Sequence, residues 1–175
     1  MQCQICDSAS ISSIGRFNGY DYVRCGRCGV THYWPLMTAT ELDAHYAKEW
    51  SDPISPLAQY FDPVYEELNL ERSFRPRLDW LAASGFKGRI LDVGCSVGTF
   101  LEEAKARGWD VEGMDVAADA CAATARALGC PVHQGVLETA ELTPGAYDAI
   151  HASQVIEHVL DPAAFVAGAR RALRP

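Results

Sequence analysis

Two sets of residues have the types and spacing to do chemistry. Cys3-x-x-Cys6 and Cys25-x-x-Cys28 are CxxC pairs separated by 18 residues. Each pair can place two thiolates on one side of a tight turn, and four thiolates complete the tetrahedral shell of a structural Zn²⁺. A closed four-sulfur shell leaves no open position, so the expected zinc is structural, not catalytic. Two disulfides or merely buried thiols are the blander alternatives, and nothing in the sequence suggests secretion. His32 follows Cys28 too closely to replace it. The second set lies in Arg89-Ile-Leu-Asp-Val-Gly-Cys-Ser-Val-Gly-Thr-Phe100, where an apolar strand ends in a glycine-punctuated turn that opens into a helix. Gly94 and Gly98 can take backbone angles closed to other residues, and the helix aims unpaired N–H groups at an anion.

The elements that must hold these residues are legible in outline. Asn18-Gly19 between Ile14–Phe17 and Tyr20–Arg24 predicts a type I′ hairpin that brings the cysteine pairs together. Thr38-x-x-Glu41 is a capping box for a helix through about Trp50, followed by the Pro/Ser connection Ser51–Pro56. A further helix starts near Pro63, is kinked or split by Pro76, and ends near Ser84-Gly85. From Gly88 onward strands and helices alternate, which argues a parallel sheet with crossover helices. Strands are expected at Arg89–Gly94, Asp110–Asp115, Pro131–Gly135 and Tyr147–Ser153. Helices are expected at Thr99–Arg107, Ala118–Leu128 and from Asp161-Pro162 to about Leu173. Three units follow: residues 1–36, 37–87 and 88–175.

The chain of 175 residues is 49% hydrophobic, enough for a packed core. Its net charge of −8 opposes the attraction to phosphate backbones on which nucleic-acid binding relies, so a nucleic-acid partner is not expected. No apolar run reaches the ~18 residues of a membrane span, and a soluble, cytoplasmic protein is expected. Cys95, Cys121 and Cys130 read as small buried residues.

Three known loop types compete for Gly94–Gly98. The dinucleotide fingerprint Gly-x-Gly-x-x-Gly fails on register. Gly94-Cys-Ser-Val-Gly98 also fits the Gly-x-Ser-x-Gly elbow of α/β-hydrolases, with Ser96 as nucleophile and His158 able to complete a triad. That fold, however, needs earlier strands and an oxyanion-hole loop. The stretch Asp92-Val-Gly94-Cys-Ser96-Val-Gly98 resembles the cofactor loop of class I S-adenosylmethionine-dependent methyltransferases, Asp-x-Gly-x-Gly-x-Gly, with Ser96 at the middle glycine. Val111-Glu-Gly-Met-Asp115 resembles that family's second strand. Tyr147-Asp-Ala-Ile-His-Ala-Ser-Gln-Val-Ile-Glu-His-Val-Leu-Asp-Pro162 resembles its fourth strand and the Glu-His-Val segment after it. Residues 1–36, with Tyr33-Trp-Pro35, resemble the zinc module found on some bacterial members.

The resemblance implies an α/β Rossmann-like sheet of about four parallel strands, preceded by a four-cysteine zinc module and a helical segment. It implies S-adenosylmethionine, or its product S-adenosylhomocysteine, held by Asp92, Gly94, Cys95, Ser96, Gly98, Asp115, Val116, Val136, Leu137 and Gln154. Asp115 would take the ribose hydroxyls, and Val136 and Leu137 the adenine. Ser96 could donate to the methionine carboxylate. An oxygen or carbon acceptor would need a base, for which His158 is chosen over His151, Glu157 or a tyrosine. The implied acceptor is a small molecule, such as a sugar nucleotide or other metabolite. An RNA acceptor, or a catalytically silent binding protein, is the alternative. Four strands are visible where the related fold has seven, so a truncated sheet that self-associates through its uncovered edge is also expected.

Overall fold

The computed structural model describes residues 1–42, 44 and 62–175. The N-terminal unit is an antiparallel sheet of β1 (Ile11–Phe17), β2 (Tyr20–Cys25) and β3 (Thr31–Trp34) in that order. Asn18 and Gly19 both have positive φ, 50° and 85°, and Phe17 pairs with Tyr20, so the expected hairpin forms. The third strand was not anticipated. It arises because Gly29 N–H bonds Cys25 O and Cys25 N–H bonds Val30 O, closing the second CxxC turn and sending the chain back along β2.

The Thr38–Glu41 capping box is present, with Glu41 N–H on Thr38 Oγ1 at 3.3 Å and Thr38 N–H on Glu41 Oε2 at 2.8 Å. The body of the helix expected through Trp50 and the connection Ser51–Pro56 lie outside the described residues. Asp62 then caps α1 (Pro63–Asn69) through Val64 N–H. The helical segment runs on through Pro76, which falls in the first turn of its last part. Between α1 and α2 (Arg75–Ala83) lies a π-helical turn, Leu70–Phe74, in which Arg75 N–H reaches back five residues to Leu70 O.

The C-terminal unit is a parallel sheet of β4 (Arg89–Val93), β5 (Asp110–Asp115), β6 (Val132–Gln134) and β7 (Ala149–Ala152). Its strand order is β6-β5-β4-β7. The crossovers contain α3 (Thr99–Ala106) and α4 (Ala118–Leu128), and α5 (Pro162–Ala172) follows β7. The outer strands are shorter than expected. Tyr147 makes a single parallel bridge to Leu173 before β7 begins. Successive residues of β4 point to opposite faces. Ile90 joins Leu78, Phe100, Leu101 and Val111 on one side, while Leu91 and Val93 join Met114, Leu137, Tyr147 and Phe165 on the other. Because β5 and β6 lie on one side of β4 and β7 on the other, the strand order reverses between β4 and β7. A crevice outside the carboxyl ends of those strands is where such sheets bind ligands. No helix among the described residues is long and apolar enough to cross a membrane.

Candidate cofactor crevice and cysteine site

The loop leaving β4 is held by its backbone. Gly94 and Cys95 both donate to Met114 O, at 2.8 and 3.0 Å, and Gly98 donates to Cys95 O at 2.9 Å. Gly94, Ser96 and Gly98 all have left-handed φ of 73°, 48° and 88°. A Cβ at Gly94 would sit 2.7 Å from Val155 Cγ2, and one at Gly98 would sit 2.8 Å from Thr124 Cγ2. Both glycines therefore serve close approach as well as backbone conformation. Ser96 keeps the backbone form usual for glycine despite its side chain.

Asp115, at the end of β5, braces this loop. Its Oδ2 accepts Ser96 N–H and its Oδ1 accepts Ala117 N–H, each at 2.9 Å. Each carboxylate oxygen retains a second acceptor position, so the same group can also receive hydroxyl donors. Thr124 Oγ1 on α4 donates to Ser96 O at 2.8 Å. The first turn of α3 opens beside this loop with its unpaired N–H groups.

Asp92 lies on β4 two residues before Gly94 and is buried. Burial pushes its carboxyl up, opposed by the hydrogen bond from His151. His151 Nδ1 is 2.7 Å from Asp92 Oδ1, its Nε2 is 2.8 Å from Arg77 Nη1, and its ring stacks on Phe100.

The other expected contributors are spread around the crevice. Val116 is 56% exposed after β5, and Val136 is exposed after β6. Leu137 is 1% exposed and packs in the core beneath α5, so the apolar side chain presented by this loop is that of Val136. Cys95 also points into the core, and burial pushes its thiol up; only its backbone belongs to the loop. Gln154 is exposed with a left-handed φ of 58°. His158 closes an exposed 3₁₀ turn, Ile156–His158, after β7. The contributions of Arg77, Thr124 and Phe100 were not anticipated. Thr124 had one available signal, a lone hydroxyl in the alanine-rich run Ala117–Leu128.

The four cysteines converge. All four Sγ atoms lie within 4.8 Å of one another, with Cys3–Cys28 at 3.5 Å and Cys6–Cys25 at 3.7 Å. A tetrahedron with Zn–S bonds of about 2.3 Å has edges of about 3.8 Å, whereas a disulfide would need about 2.05 Å. Ile5 N–H points to Cys3 Sγ and Arg27 N–H to Cys25 Sγ. Backbone N–H groups, chiefly that of Cys28, lower the Cys25 thiol to about 6. At Cys6 the pull of the Ser8 N–H is outweighed by burial and the other three thiols, which push it up to about 12. Four converging sulfurs at these separations suit a cation that takes all four as thiolates. The cluster fits zinc. Gln4, inside the first CxxC, donates to Leu160 O at 3.2 Å and so touches the segment after β7.

The profile of the methyltransferase domain family matches residues 42–175, and the chain belongs to that family. It is 38% identical over 148 residues to a ubiquinone biosynthesis O-methyltransferase of Sodalis glossinidius, covering 75% of this chain and 59% of the relative. With the enzyme of the same name from Erwinia tasmaniensis it is 34% identical over 123 residues, covering 61% and 51%. The chain thus spans between half and three-fifths of these relatives' length. Among solved structures it is similar to an S-adenosylmethionine-bound amino pentose methyltransferase of calicheamicin biosynthesis from Micromonospora echinaspora. The TM-score is 0.53 at 28% identity, covering 64% of this chain and 52% of the other. The nucleophile-elbow reading of Ser96 falls with this assignment. β4 is the first strand of its sheet among the described residues, and what precedes it is a separate small sheet and helices.

Proposed function

We propose that the chain binds S-adenosylmethionine in the crevice outside the carboxyl ends of β5, β4 and β7 and takes part in methyl transfer to a hydroxyl of a small molecule. The observation that carries this reading is the brace of Asp115 on the Gly94–Gly98 loop at the reversal of strand order. When bound, the cofactor supplies a methyl group made electrophilic by its sulfonium. The chain's residues orient the reactants and keep water out. Free N–H groups at the start of α3 receive the cofactor carboxylate, Asp115 accepts ribose hydroxyls, and Val116 and Val136 flank the base. Gly94, Ser96 and Gly98 shape the loop, and Gln154 borders it from β7.

A hydroxyl acceptor must lose its proton. His158, on the turn Ile156–His158 that follows β7 at the ligand-binding edge of the sheet, is the residue assigned to receive that proton. The names of the relatives support an oxygen acceptor, and the acidic composition disfavours RNA. Cys3, Cys6, Cys25 and Cys28 hold one structural zinc that folds the small sheet and takes no part in transfer. The test is a transfer assay with isotopically labelled cofactor against hydroxylated aromatic compounds, sugar nucleotides and RNA. Label in either small-molecule arm supports the proposal. Label in RNA alone, or in none despite tight cofactor binding, overturns it.

A further inference from the structure

Arg77, His151 and Asp92 form a continuous hydrogen-bonded chain from α2 to the cofactor strand. We propose that Arg77 is a positioning residue for cofactor binding: it fixes the tautomer of His151 and thereby holds Asp92 as an ionised carboxylate beneath the loop. This rests on the cofactor reading above and goes beyond it by assigning a role to the helical segment.

Donors and acceptors fix the direction of this chain. A guanidinium offers only donors. With Arg77 Nη1 at 2.8 Å, His151 Nε2 must therefore accept, which leaves the ring neutral with its proton on Nδ1. That proton is directed at Asp92 Oδ1, 2.7 Å away. The ring has little freedom to turn, since it stacks on Phe100 at 3.7 Å and 9° and meets Phe74 edge-on at 5.7 Å. Register supports the same link, because Asp92 and His151 are paired residues of β4 and β7.

Charge makes the link consequential. Asp92 is buried, and Asp115 adds a negative charge that disfavours its ionisation; His151 and Arg77 are the groups that favour it. Burial, with the negative charges of Asp92 and Asp115, pushes the Cys95 thiol up. An ionised Asp92 offers a counter-charge to the amino group carried by both S-adenosylmethionine and S-adenosylhomocysteine. Without Arg77, His151 can put its proton on either nitrogen, and the Nε2–H form presents a lone pair to the carboxylate.

Two measurements test this on the whole chain. Nitrogen-15 NMR of the His151 ring, without ligand, should show the Nδ1–H tautomer in the wild type and a mixture in Arg77→Met. Titration with S-adenosylhomocysteine should show Arg77→Met binding about tenfold more weakly, Arg77→Lys recovering part of the loss, and His151→Phe weakened at least as much. The double variant should bind no more weakly than His151→Phe alone, because both act through one path. An Nε2–H ring in the wild type overturns the proposal. So does a loss from Arg77→Met that is equal with and without His151. If the wild type binds no S-adenosylhomocysteine, the cofactor reading fails and this role of Arg77 with it, and the ring tautomer then reports on the chain alone.

Discussion

The hydroxyl of Thr124 on α4 donates to the carbonyl of Ser96 at 2.8 Å, tying a helix after β5 to the loop after β4. Thr124 is fully buried. Thr124→Val keeps the shape and leaves the Ser96 carbonyl without that donor, so it should cost about 1–2 kcal/mol of stability. Thr124→Ser should retain most of it. Thermal unfolding of the two variants checks the difference.

Ser96 occupies a left-handed backbone position at φ 48°. Ser96→Gly should relieve that conformation and stabilise the protein by about 0.5–1 kcal/mol, after the extra freedom of glycine in the unfolded chain is offset. Ser96→Ala should leave cofactor binding largely intact, because Asp115 and Thr124 hold Ser96 through its backbone. Denaturant unfolding and a cofactor titration measure the two effects.

Glu112 on β5 is a buried carboxylate that accepts from Tyr147 Oη and His133 Nε2 and pairs with Arg89. Burial works to raise its titration, but these bonds and charges outweigh burial and hold it below the usual carboxylate range. A carboxyl lowered in the folded state adds stability above its unfolded value, and that stability is lost as pH falls through the folded value. Glu112→Gln should therefore be about 1–2 kcal/mol less stable at neutral pH. The gap to wild type should close on acidification below pH ~4. Chemical unfolding at a series of pH values reads this, and the comparison removes the opposite contribution of Asp92, whose carboxyl is raised.

Elemental analysis should find about one zinc per chain. Cys25→Ser, or chelation, should unfold β1–β3, because so short a segment draws its folding energy from the metal. Gln4 touches Leu160, so loosening should extend to the segment carrying His158, seen as faster amide exchange there. A metal-free protein with an ordered cysteine sheet contradicts the assignment.

Local chemistry was what the sequence showed well. Asn18-Gly19, Thr38 with Glu41, and Asp161-Pro162 each act over a few residues, and their turn or caps form. The glycine loop and Asp115 were legible because strand ends and turns have fixed spacing. Contacts between distant segments were not. Arg77 reaches His151 across 74 positions, and Thr124 reaches Ser96 across 28, with no periodicity linking them. Leu137 was misplaced toward the ligand because a loop position next to Val136 does not reveal which side chain turns inward under α5. β3 was missed because four residues are too few to stand out as a strand.

The crevice at Asp115 is proposed to bind S-adenosylmethionine. The most direct measurement is calorimetric titration of wild type and Asp115→Ala with S-adenosylhomocysteine. The substitution removes the proposed ribose acceptor and both backbone anchors, at Ser96 and Ala117. One site should be found per chain, and affinity should fall by roughly 10- to 150-fold, corresponding to the loss of about 1.5–3 kcal/mol. No binding to the wild type, or the same affinity in both proteins, would contradict the account.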